Sequence, residues 1–235
     1  MVYESIEWVL QQVFPPTCCA CGDPGLGRYD ICAGCYRDLP RLVHGCRLCA
    51  EPLFGPELIC GRCQKHPPAF DRVIAPYIYA PPIDSLIHAF KYAAQLSGGR
   101  LLGALLARHL RQRGTTADLL LPIPLHPARL RRRGFNQAME LTRCLGPTLD
   151  IPTDHRRLRR TRSTGTQSAL SREARRRNMR NAFAFRGRLD GLTVALVDDV
   201  LTTGSTADAA ARTLRRAGAA RIEIWAVARA SQLLP

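Results

Sequence analysis

The sequence is poor in lysine and aromatic residues, and it has no apolar run long enough to span a membrane. Lys65 and Lys91 are the only lysines, and aromatic residues make up 6% of the chain. A transmembrane helix needs about 20 consecutive apolar residues. The N-terminus also lacks the basic region of a secretory signal and carries Glu4 and Glu7 instead. We therefore expect a cytoplasmic protein without a membrane span.

The positive charge of the chain comes almost entirely from arginine. The formal net charge is +15 at pH 7. Residues 128–188 contain 17 arginines and 4 acidic residues, which leaves a local net charge of +13. Such a charge favours anionic partners, either nucleic acid or pyrophosphate. The alternative is a solvated basic surface without a specific partner.

Nine of the ten cysteines lie between residues 18 and 63 in a repeated pattern. Four Cys-x-x-Cys pairs form two units that are offset by 28 residues. Two such pairs about ten residues apart let four thiolates bind one Zn²⁺ tetrahedrally. A segment this short, with few large apolar residues, needs metal or disulfides to fold. The predicted zinc ligands are Cys18, Cys21, Cys32, Cys35, Cys46, Cys49, Cys60 and Cys63.

A disulfide framework is the alternative to zinc. The expected cytosolic location and the strict Cys-x-x-Cys pairing favour zinc. The two sites could close sequentially or cross-brace, and the 28-residue repeat favours sequential closure as two stacked ribbons. Cys19 breaks the repeat and is expected to be a spare thiol. We expect Cys144 to be a small core residue rather than a ligand.

Apolar periodicity divides the chain into three parts. Residues 1–16 predict a short amphipathic helix that ends at the proline pair, and residues 17–66 hold the two cysteine units. A hinge is expected at residues 64–71. In residues 67–235, predicted strands alternate with helices, which is typical of an α/β fold with a mostly parallel sheet and flanking helices. The predicted strands are 73–79, 118–124, 194–197 and 222–228, and the predicted helices are 83–94, 101–112, 137–145 and 208–216.

The stretch from Val194 to Thr206 is the strongest candidate for a functional site. A buried strand ends in Asp198 and Asp199, and ligands of open α/β sheets bind beyond the carboxyl ends of the strands. A loop with backbone freedom and hydroxyl donors follows, and the next helix brings its positive end to the same place. The loop residues are Thr202, Thr203, Gly204, Ser205 and Thr206. The pattern predicts a phosphate in the loop and a polyhydroxyl group, with or without a divalent cation, on the carboxylates.

The alternative for this stretch is an ordinary strand–turn–helix in which a Ser or Thr caps the helix. Capping alone does not explain two adjacent carboxylates, because they repel each other unless a ligand or cation uses them. A sugar-phosphate site is therefore the preferred interpretation.

Two further basic segments are candidates for anion binding. The loop after the strand at 118–124 opens at the same edge of the sheet, and Arg129 and Arg131–Arg133 suit bidentate contact with an anion. A solvated basic loop is the alternative. Residues 156–178 suit either a mobile flap over a polyanion or a nucleic-acid groove, although they lack aromatic residues for base stacking. The sequence leaves both interpretations of this second segment open.

These motifs together resemble the ComF family, which includes the GntX-type proteins. The stretch 194–206 by itself resembles the phosphoribosyl-pyrophosphate (PRPP) loop of type I phosphoribosyltransferases. The motifs that carry the family resemblance are Phe14-Pro15, the double cysteine unit, Lys91-Tyr92, Pro122-Ile123-Pro124-Leu125-His126, Arg133-Gly134-Phe135-Asn136-Gln137, Gln167 and Leu170 with Arg175 and Asn178, the Asp198-Asp199 loop, and Arg229.

The resemblance implies roles for these residues. Asp198 and Asp199 would hold the ribose hydroxyls of PRPP, with Mg²⁺, and would be the catalytic carboxylates if transfer occurs. Residues 202–206 would hold the 5′-phosphate. Gln167 and Arg175 would belong to the flap. The residues implied for pyrophosphate or anion contact are Arg129, Arg133, Gly134, Asn136 and Gln137.

The family implies a role in competence, in which single-stranded DNA is handled in the cytoplasm during natural transformation, with a helicase as partner. Two hypotheses follow. The first is a protein with a PRPP site that acts in DNA uptake. The second is an active PRPP-dependent phosphoribosyltransferase whose acceptor is unknown. They are compatible, because PRPP could gate DNA binding.

Overall fold

The core of the protein is a sheet of five parallel strands, seen in a computed structural model that describes residues 16–25, 29–92, 96–161 and 182–231. The spatial order is β1-β7-β6-β3, and β2 also pairs with β7. These strands are β1 (Arg72–Ile74), β2 (Tyr77–Ile78), β3 (Leu119–Pro122), β6 (Thr193–Leu201) and β7 (Arg221–Arg229). The predicted α/β class with a parallel sheet is confirmed.

Helices cover both faces of the sheet. They are α1 (Ala33–Arg37), α2 (Gly61–Lys65), α3 (Ile83–Tyr92), α4 (Leu96–Gln112), α5 (Pro127–Arg133), α6 (Gln137–Leu149) and α7 (Ser205–Arg216). Ala195 and Val197 pack into the core of α3, α4 and α6, whereas Val194 and Leu196 pack into the core of α7. Successive strand residues point to opposite faces, so a strand buried on both faces is a continuous apolar run.

A small antiparallel pair stands apart from the main sheet. It consists of β4 (Leu158–Arg160) and β5 (Phe183–Phe185). Leu158 and Phe183 are buried in the same core as α7. No helix of the described ranges is long and apolar enough to cross a membrane. All but the last residue of the predicted helix at 1–16, and the predicted flap residues Gln167 and Arg175, lie outside the described residues.

Several predicted boundaries were wrong, each for a local reason. The strand predicted at 73–79 is two short strands separated by Pro76, which has no N–H to donate. Helix α4 starts at residue 96 rather than 101, across Gly98 and Gly99. A Cβ at Gly99 would lie 2.5 Å from the Phe90 ring, so packing outweighs the poor helix propensity of glycine here. Helix α6 continues through Pro147 to Leu149.

Strand β6 is longer than predicted, and this changes the position of the carboxylates. It runs to Leu201, so Asp198 and Asp199 lie within the strand rather than after it. Its neighbour β7 is equally long and pairs Asp198 with Ala226 and Leu201 with Arg229. Because β7 provides hydrogen-bond partners for the backbone of β6 along the two aspartates, β6 continues past them.

The cysteine-rich part is docked on the sheet rather than separated from it. Residues 40–42 run antiparallel beside β2, with Arg41 opposite Tyr77. The Ile78 amide donates to the Pro40 carbonyl at 2.8 Å, and the Leu42 amide donates to the Pro76 carbonyl at 2.8 Å. The predicted hinge is also tied to the sheet, because the amide of Asp71 donates to the Ile222 carbonyl at 2.8 Å.

Candidate functional site

The two adjacent carboxylates lie near the carboxyl end of β6, at the centre of the candidate site. Asp199 is buried, with 6% of its surface exposed, and Asp198 is half-buried. The amide of Ile123 donates to the Val197 carbonyl at 2.9 Å, so the chain that leaves β3 emerges beside the carboxylates. This arrangement places the pair at the edge where ligands of parallel sheets bind.

Lys91 is a site residue that the sequence reasoning did not assign. It lies near the end of α3, and its Nζ is 3.0 Å from Asp199 Oδ1. Its side chain is 19% exposed and that of Asp199 is 9% exposed. Lys91 thus partly neutralises the carboxylate pair from the face opposite α7. The available signal in the sequence was that Lys91 is one of only two lysines in an arginine-rich chain.

The pair is electrostatically unfavourable without a ligand. Burial, followed by the neighbouring charge of Asp199, raises the pKa of Asp198 to about 7. The Asp199 amide, which donates to Asp198 Oδ1 at 2.9 Å, and the charges of Lys91 and Arg160 act in the opposite direction. A bound cation or a set of hydroxyl donors would relieve this repulsion.

The loop after β6 presents its hydroxyl groups to solvent. Thr202, Thr203 and Ser205 are exposed, and Thr203 Oγ1 lies 3.0 Å from Ser205 Oγ. Gly204 has a φ of 77° and stands at the N-cap of α7, and the Ser205 amide in the first turn of the helix donates to Thr203 Oγ1 at 3.4 Å. A threonine hydroxyl of the loop thus contacts the helix N-terminus, as the capping alternative expects, but capping does not account for the adjacent carboxylate pair. The helix N-terminus and the exposed hydroxyl groups together suit a phosphate.

The predicted basic loop after β3 is a helix, α5, and this is a correction. His126 Nδ1 accepts from the Ala128 amide at 3.3 Å, Pro127 occupies the first turn, and Gly134 ends the helix with a φ of 84°. Proline at the start and a left-handed glycine at the end are common helix boundaries. Arg129 is exposed on this helix.

Three other residues of the predicted anion set form hydrogen bonds within the protein. Asn136 is 8% exposed and caps α6, because its Oδ1 accepts from the Ala138 amide and its Nδ2 donates to the Ile123 carbonyl, both at 3.1 Å. Arg133 donates to Gln137 Oε1 at 2.7 Å, and its guanidinium lies 5.2 Å from the centre of the Tyr92 ring. In the structure, Asn136 and Gln137 support the junction of α5 and α6.

Arg160, on β4, joins the site from the other side. Its guanidinium lies 5.6 Å from the centre of the Phe183 ring. Burial and then the charge of Arg129 lower the pKa of Arg160, while the charge of Asp198 raises it. Arg160 is therefore close enough to both groups to interact with them electrostatically. The sequence placed Arg160 in a basic run but did not assign it to the site.

The eight predicted zinc ligands form two separate clusters with metal-site geometry. The sulfur atoms within each cluster all lie within 4.8 Å of one another. Cys21 Sγ and Cys32 Sγ are 3.7 Å apart, and Cys49 Sγ and Cys60 Sγ are 3.6 Å apart. Zinc–sulfur bonds of about 2.3 Å give tetrahedral edges of about 3.8 Å. The thiols are free of disulfides among the described residues and fit two Zn²⁺ ions.

The clusters close sequentially, as the repeat favoured. The first cluster is Cys18, Cys21, Cys32 and Cys35, and the second is Cys46, Cys49, Cys60 and Cys63. Cys19 and Cys144 belong to neither cluster. Cys144 Sγ would lie 2.8 Å from a Cβ at Gly103, so this cysteine packs where α4 and α6 approach closely.

Comparisons with known proteins agree with this two-part organisation. The double zinc ribbon domain matches residues 9–64, and the phosphoribosyl transferase domain matches residues 96–234. The chain is 36% identical over 221 residues to the DNA utilization protein YhgH of Salmonella typhimurium, covering 92% of this chain and 97% of the relative. It is 35% identical over 217 residues to competence protein F of Haemophilus influenzae, covering 89% and 94%.

Among solved structures, the chain is similar to the glutamine PRPP amidotransferase of B. subtilis, solved with ADP and GMP. The TM-score is 0.38 with 22% identity, and the match covers 54% of this chain and 25% of the amidotransferase chain.

A parallel α/β sheet with two carboxylates and a hydroxyl loop at one strand end, preceded by two four-cysteine clusters, defines a phosphoribosyltransferase-type domain joined to a double zinc ribbon. The chain belongs to the ComF family, in agreement with its near full-length similarity to competence protein F and to YhgH.

Proposed function

We propose that this protein binds PRPP with Mg²⁺ at the edge formed by Asp198, Asp199 and residues 202–206, and that it uses this site in the cytoplasmic handling of single-stranded DNA. The observation that carries the proposal is the carboxylate pair, partly balanced by Lys91 at 3.0 Å, next to an open loop of hydroxyl groups. This charge distribution suits a ligand with both a polyol and phosphates.

Each part of PRPP would have its own contact. The carboxylates of Asp198 and Asp199 would accept hydrogen bonds from the ribose hydroxyls, and their oxygen atoms are the type of ligand that Mg²⁺ prefers. The hydroxyls of the threonines and the serine in residues 202–206, together with the amino end of α7, would bind the 5′-phosphate. Arg129 and Arg160 would face the pyrophosphate.

Calorimetric titration with PRPP and MgCl₂ tests the site. We expect the wild type to bind and the Asp198→Asn/Asp199→Asn double variant to lose at least tenfold in affinity. The control is Asp190→Asn, which removes an exposed carboxylate elsewhere. No binding by the wild type would contradict the PRPP proposal. Equal binding by wild type and double variant would instead contradict the assignment of the residues.

The DNA part of the proposal is supported by charge and by the relatives. The net charge is +15, and the similar proteins are described as a DNA utilization protein and a competence protein. We expect anisotropy titrations with a fluorescent oligo(dT) to weaken steeply with salt, in proportion to the phosphates contacted. Binding that is independent of salt, or absent at low salt, would contradict direct DNA contact. A helicase partner is part of the same proposal and is testable by co-purification.

A second candidate function is phosphoribosyl transfer itself. The carboxylate pair favours it, because departure of pyrophosphate would develop positive charge at the anomeric carbon, which Asp198 and Asp199 would stabilise. The acceptor nitrogen would form the new bond to that carbon as the bond to the pyrophosphate oxygen breaks. Pyrophosphate release that requires both PRPP and a nucleobase would support it. PRPP binding without such release, across a panel of nucleobases, would contradict it.

A further inference from the structure

The end of β7 connects the second four-cysteine cluster to the candidate PRPP loop through a buried arginine. Arg229 has none of its surface exposed. Its Nη1 donates to the Leu201 carbonyl at 3.0 Å and also to the Thr202 carbonyl. The same guanidinium therefore holds the two peptide carbonyls at which β6 becomes the loop.

The other side of this guanidinium is held by the second cluster. Arg229 Nε donates to the carbonyl of the ligand Cys49 at 2.9 Å, and Nη2 pairs with Glu51 Oε2. Glu51 is itself buried, with 7% exposure, and its other oxygen accepts from Ser231 Oγ at 2.8 Å. The Glu51 carbonyl accepts from the amide of Cys46, another ligand, at 2.8 Å. The first knuckle of this cluster thus fixes the arginine.

The second knuckle of the same cluster reaches the next carbonyl of the loop. Arg62 lies between the ligands Cys60 and Cys63, and its Nη1 donates to the Thr203 carbonyl at 3.1 Å. Two arginines therefore donate to three successive carbonyls, from Leu201 to Thr203. Arg229 is bound to the carbonyl of Cys49 in the cluster, and Arg62 lies between two of the cluster's cysteines.

The first cluster has different surroundings. Cys18 is buried in the core that contains Leu102 and Phe90, on the α3 and α4 face of the sheet. The two units share ligand spacing in the sequence, and among the described residues the contacts with the loop come from the second unit and the arginine that it holds. The repeat therefore provides a matched internal comparison.

We infer that Arg229 and Arg62 are positioning residues that couple the second four-cysteine cluster to the loop at residues 202–206. Metal in this cluster would fix the knuckles, the knuckles would fix the two arginines, and the arginines would hold the loop in its phosphate-binding shape. Metal and PRPP would then stabilise each other's binding, because coupling between two sites is reciprocal. The inference rests on the proposed function only where PRPP is the probe.

Hydrogen exchange tests the coupling without any ligand. We expect Arg62→Ala to speed amide exchange in peptides that cover residues 200–207, whereas Arg62→Lys restores part of the protection. Lys65→Ala is the matched control, because it removes an exposed cation from the same helix. Equal exchange in Arg62→Ala and Lys65→Ala would overturn the role of Arg62.

Arg229 needs a second variant, because Arg229→Met leaves Glu51 buried without its cation and can fail to fold. The double variant Arg229→Met/Glu51→Leu removes both charges. We expect it to fold and to show faster exchange over residues 200–207. Unchanged exchange in this double variant would overturn the role of Arg229.

PRPP affinity and zinc release provide the second readout. We expect Arg62→Ala to weaken PRPP binding about 5–10-fold, within the usual range of coupling between sites. PRPP should slow the chelator-driven release of one of the two zinc ions of the wild type, the ion in the second cluster.

Substitution of one ligand in each cluster compares the two units directly. Cys60→Ser should weaken PRPP binding at least five times more than Cys32→Ser, its counterpart in the repeat. A wild type that binds PRPP but releases both ions at unchanged rates would overturn the coupling. A wild type that does not bind PRPP would contradict the proposed function, while the exchange result would still decide the coupling.

Discussion

Lys91 Nζ and Asp199 Oδ1 lie 3.0 Å apart, which joins the end of α3 to the carboxyl end of β6. The residues are far apart in the sequence, and the sheet brings them together. The contact places a lysine on one carboxylate of the pair, while burial and then the charge of Asp199 raise the pKa of the other, Asp198, to about 7.

Removal of the lysine should destabilise the protein in a pH-dependent way. Lys91→Met leaves Asp199 without its cation, which we expect to cost about 2 kcal/mol, or roughly 4–8 °C in Tm, at pH 8. The loss should be smaller at pH 5.5, because the carboxylate pair then carries a proton. Thermal melts followed by circular dichroism measure both, with Lys65→Met as control. An equal loss at the two pH values would show that Lys91 acts through packing.

PRPP binding should tighten as the pH rises. The pKa of Asp198 is raised to about 7, by burial and then by Asp199, and a cation-assisted ligand needs the ionised form. One proton lost on binding predicts roughly tenfold higher affinity at pH 8 than at pH 6. The phosphates of PRPP also titrate, so the comparison is with Asp198→Asn, whose residual affinity varies only through the ligand. Identical pH profiles for the two proteins would contradict a role for Asp198 ionisation.

The same titration should make the wild type less stable at high pH. The folded pKa of Asp198 lies above that of an unfolded aspartate, about 3.9, so the folded protein binds the proton more tightly. This contribution to stability is present at acid pH and is lost as the pH rises from about 4 through about 7.

Asp198→Asn removes this penalty, and we expect its Tm to exceed that of the wild type by about 2–4 °C at pH 8 and to match it at pH 4. Asp190→Asn is the opposite control, because a hydrogen bond from Arg188 lowers the pKa of Asp190. An Asp198→Asn protein that is less stable at pH 8 would mean that the carboxylate is needed by the folded state.

Zinc content should follow the two clusters. We expect two zinc ions per chain in the wild type, one in Cys46→Ser, and two in Cys19→Ser and in Cys144→Ser. Chelator titration with a colorimetric zinc indicator gives the number. Loss of an ion from Cys19→Ser would require a different ligand set in the first cluster.

The sequence predicted the parts of the fold that have strong local patterns. The apolar runs of β6 and β7 are recognisable because each strand is buried along most of its length, and helix α7 is recognisable from its buried alanine-rich face. The cysteine repeat also predicted both clusters, since tetrahedral zinc fixes ligand number and spacing. These signals need no knowledge of distant residues.

Boundaries were harder, because neighbouring elements decide them. Two aspartates suggest the end of a strand, yet β6 continues because β7 pairs with it as far as Leu201. Helix α5 was missed although its signals were present, with Pro127 in the first turn and Gly134 at the end. The run of arginines between them suggested a basic loop, but arginine is a good helix former.

The sequence analysis did not assign the supporting residues of the site. Lys91 and Arg160 reach Asp199 and Asp198 only through the order of the strands and the position of β4. Asn136 shows the reverse case. The family motif implied that it contacts an anion, but its side chain caps α6 by accepting from the Ala138 amide.

Residues 40–42 have a protective effect that follows from their pairing with β2. An uncovered strand presents free amide and carbonyl groups that invite pairing with another molecule. Here the Ile78 amide donates to the Pro40 carbonyl and the Pro76 carbonyl accepts from the Leu42 amide, so the sheet margin is already occupied. A chain that started at residue 67 would expose this margin and should self-associate. The cysteine-rich part thus covers a sheet edge that would otherwise be open to pairing with another molecule.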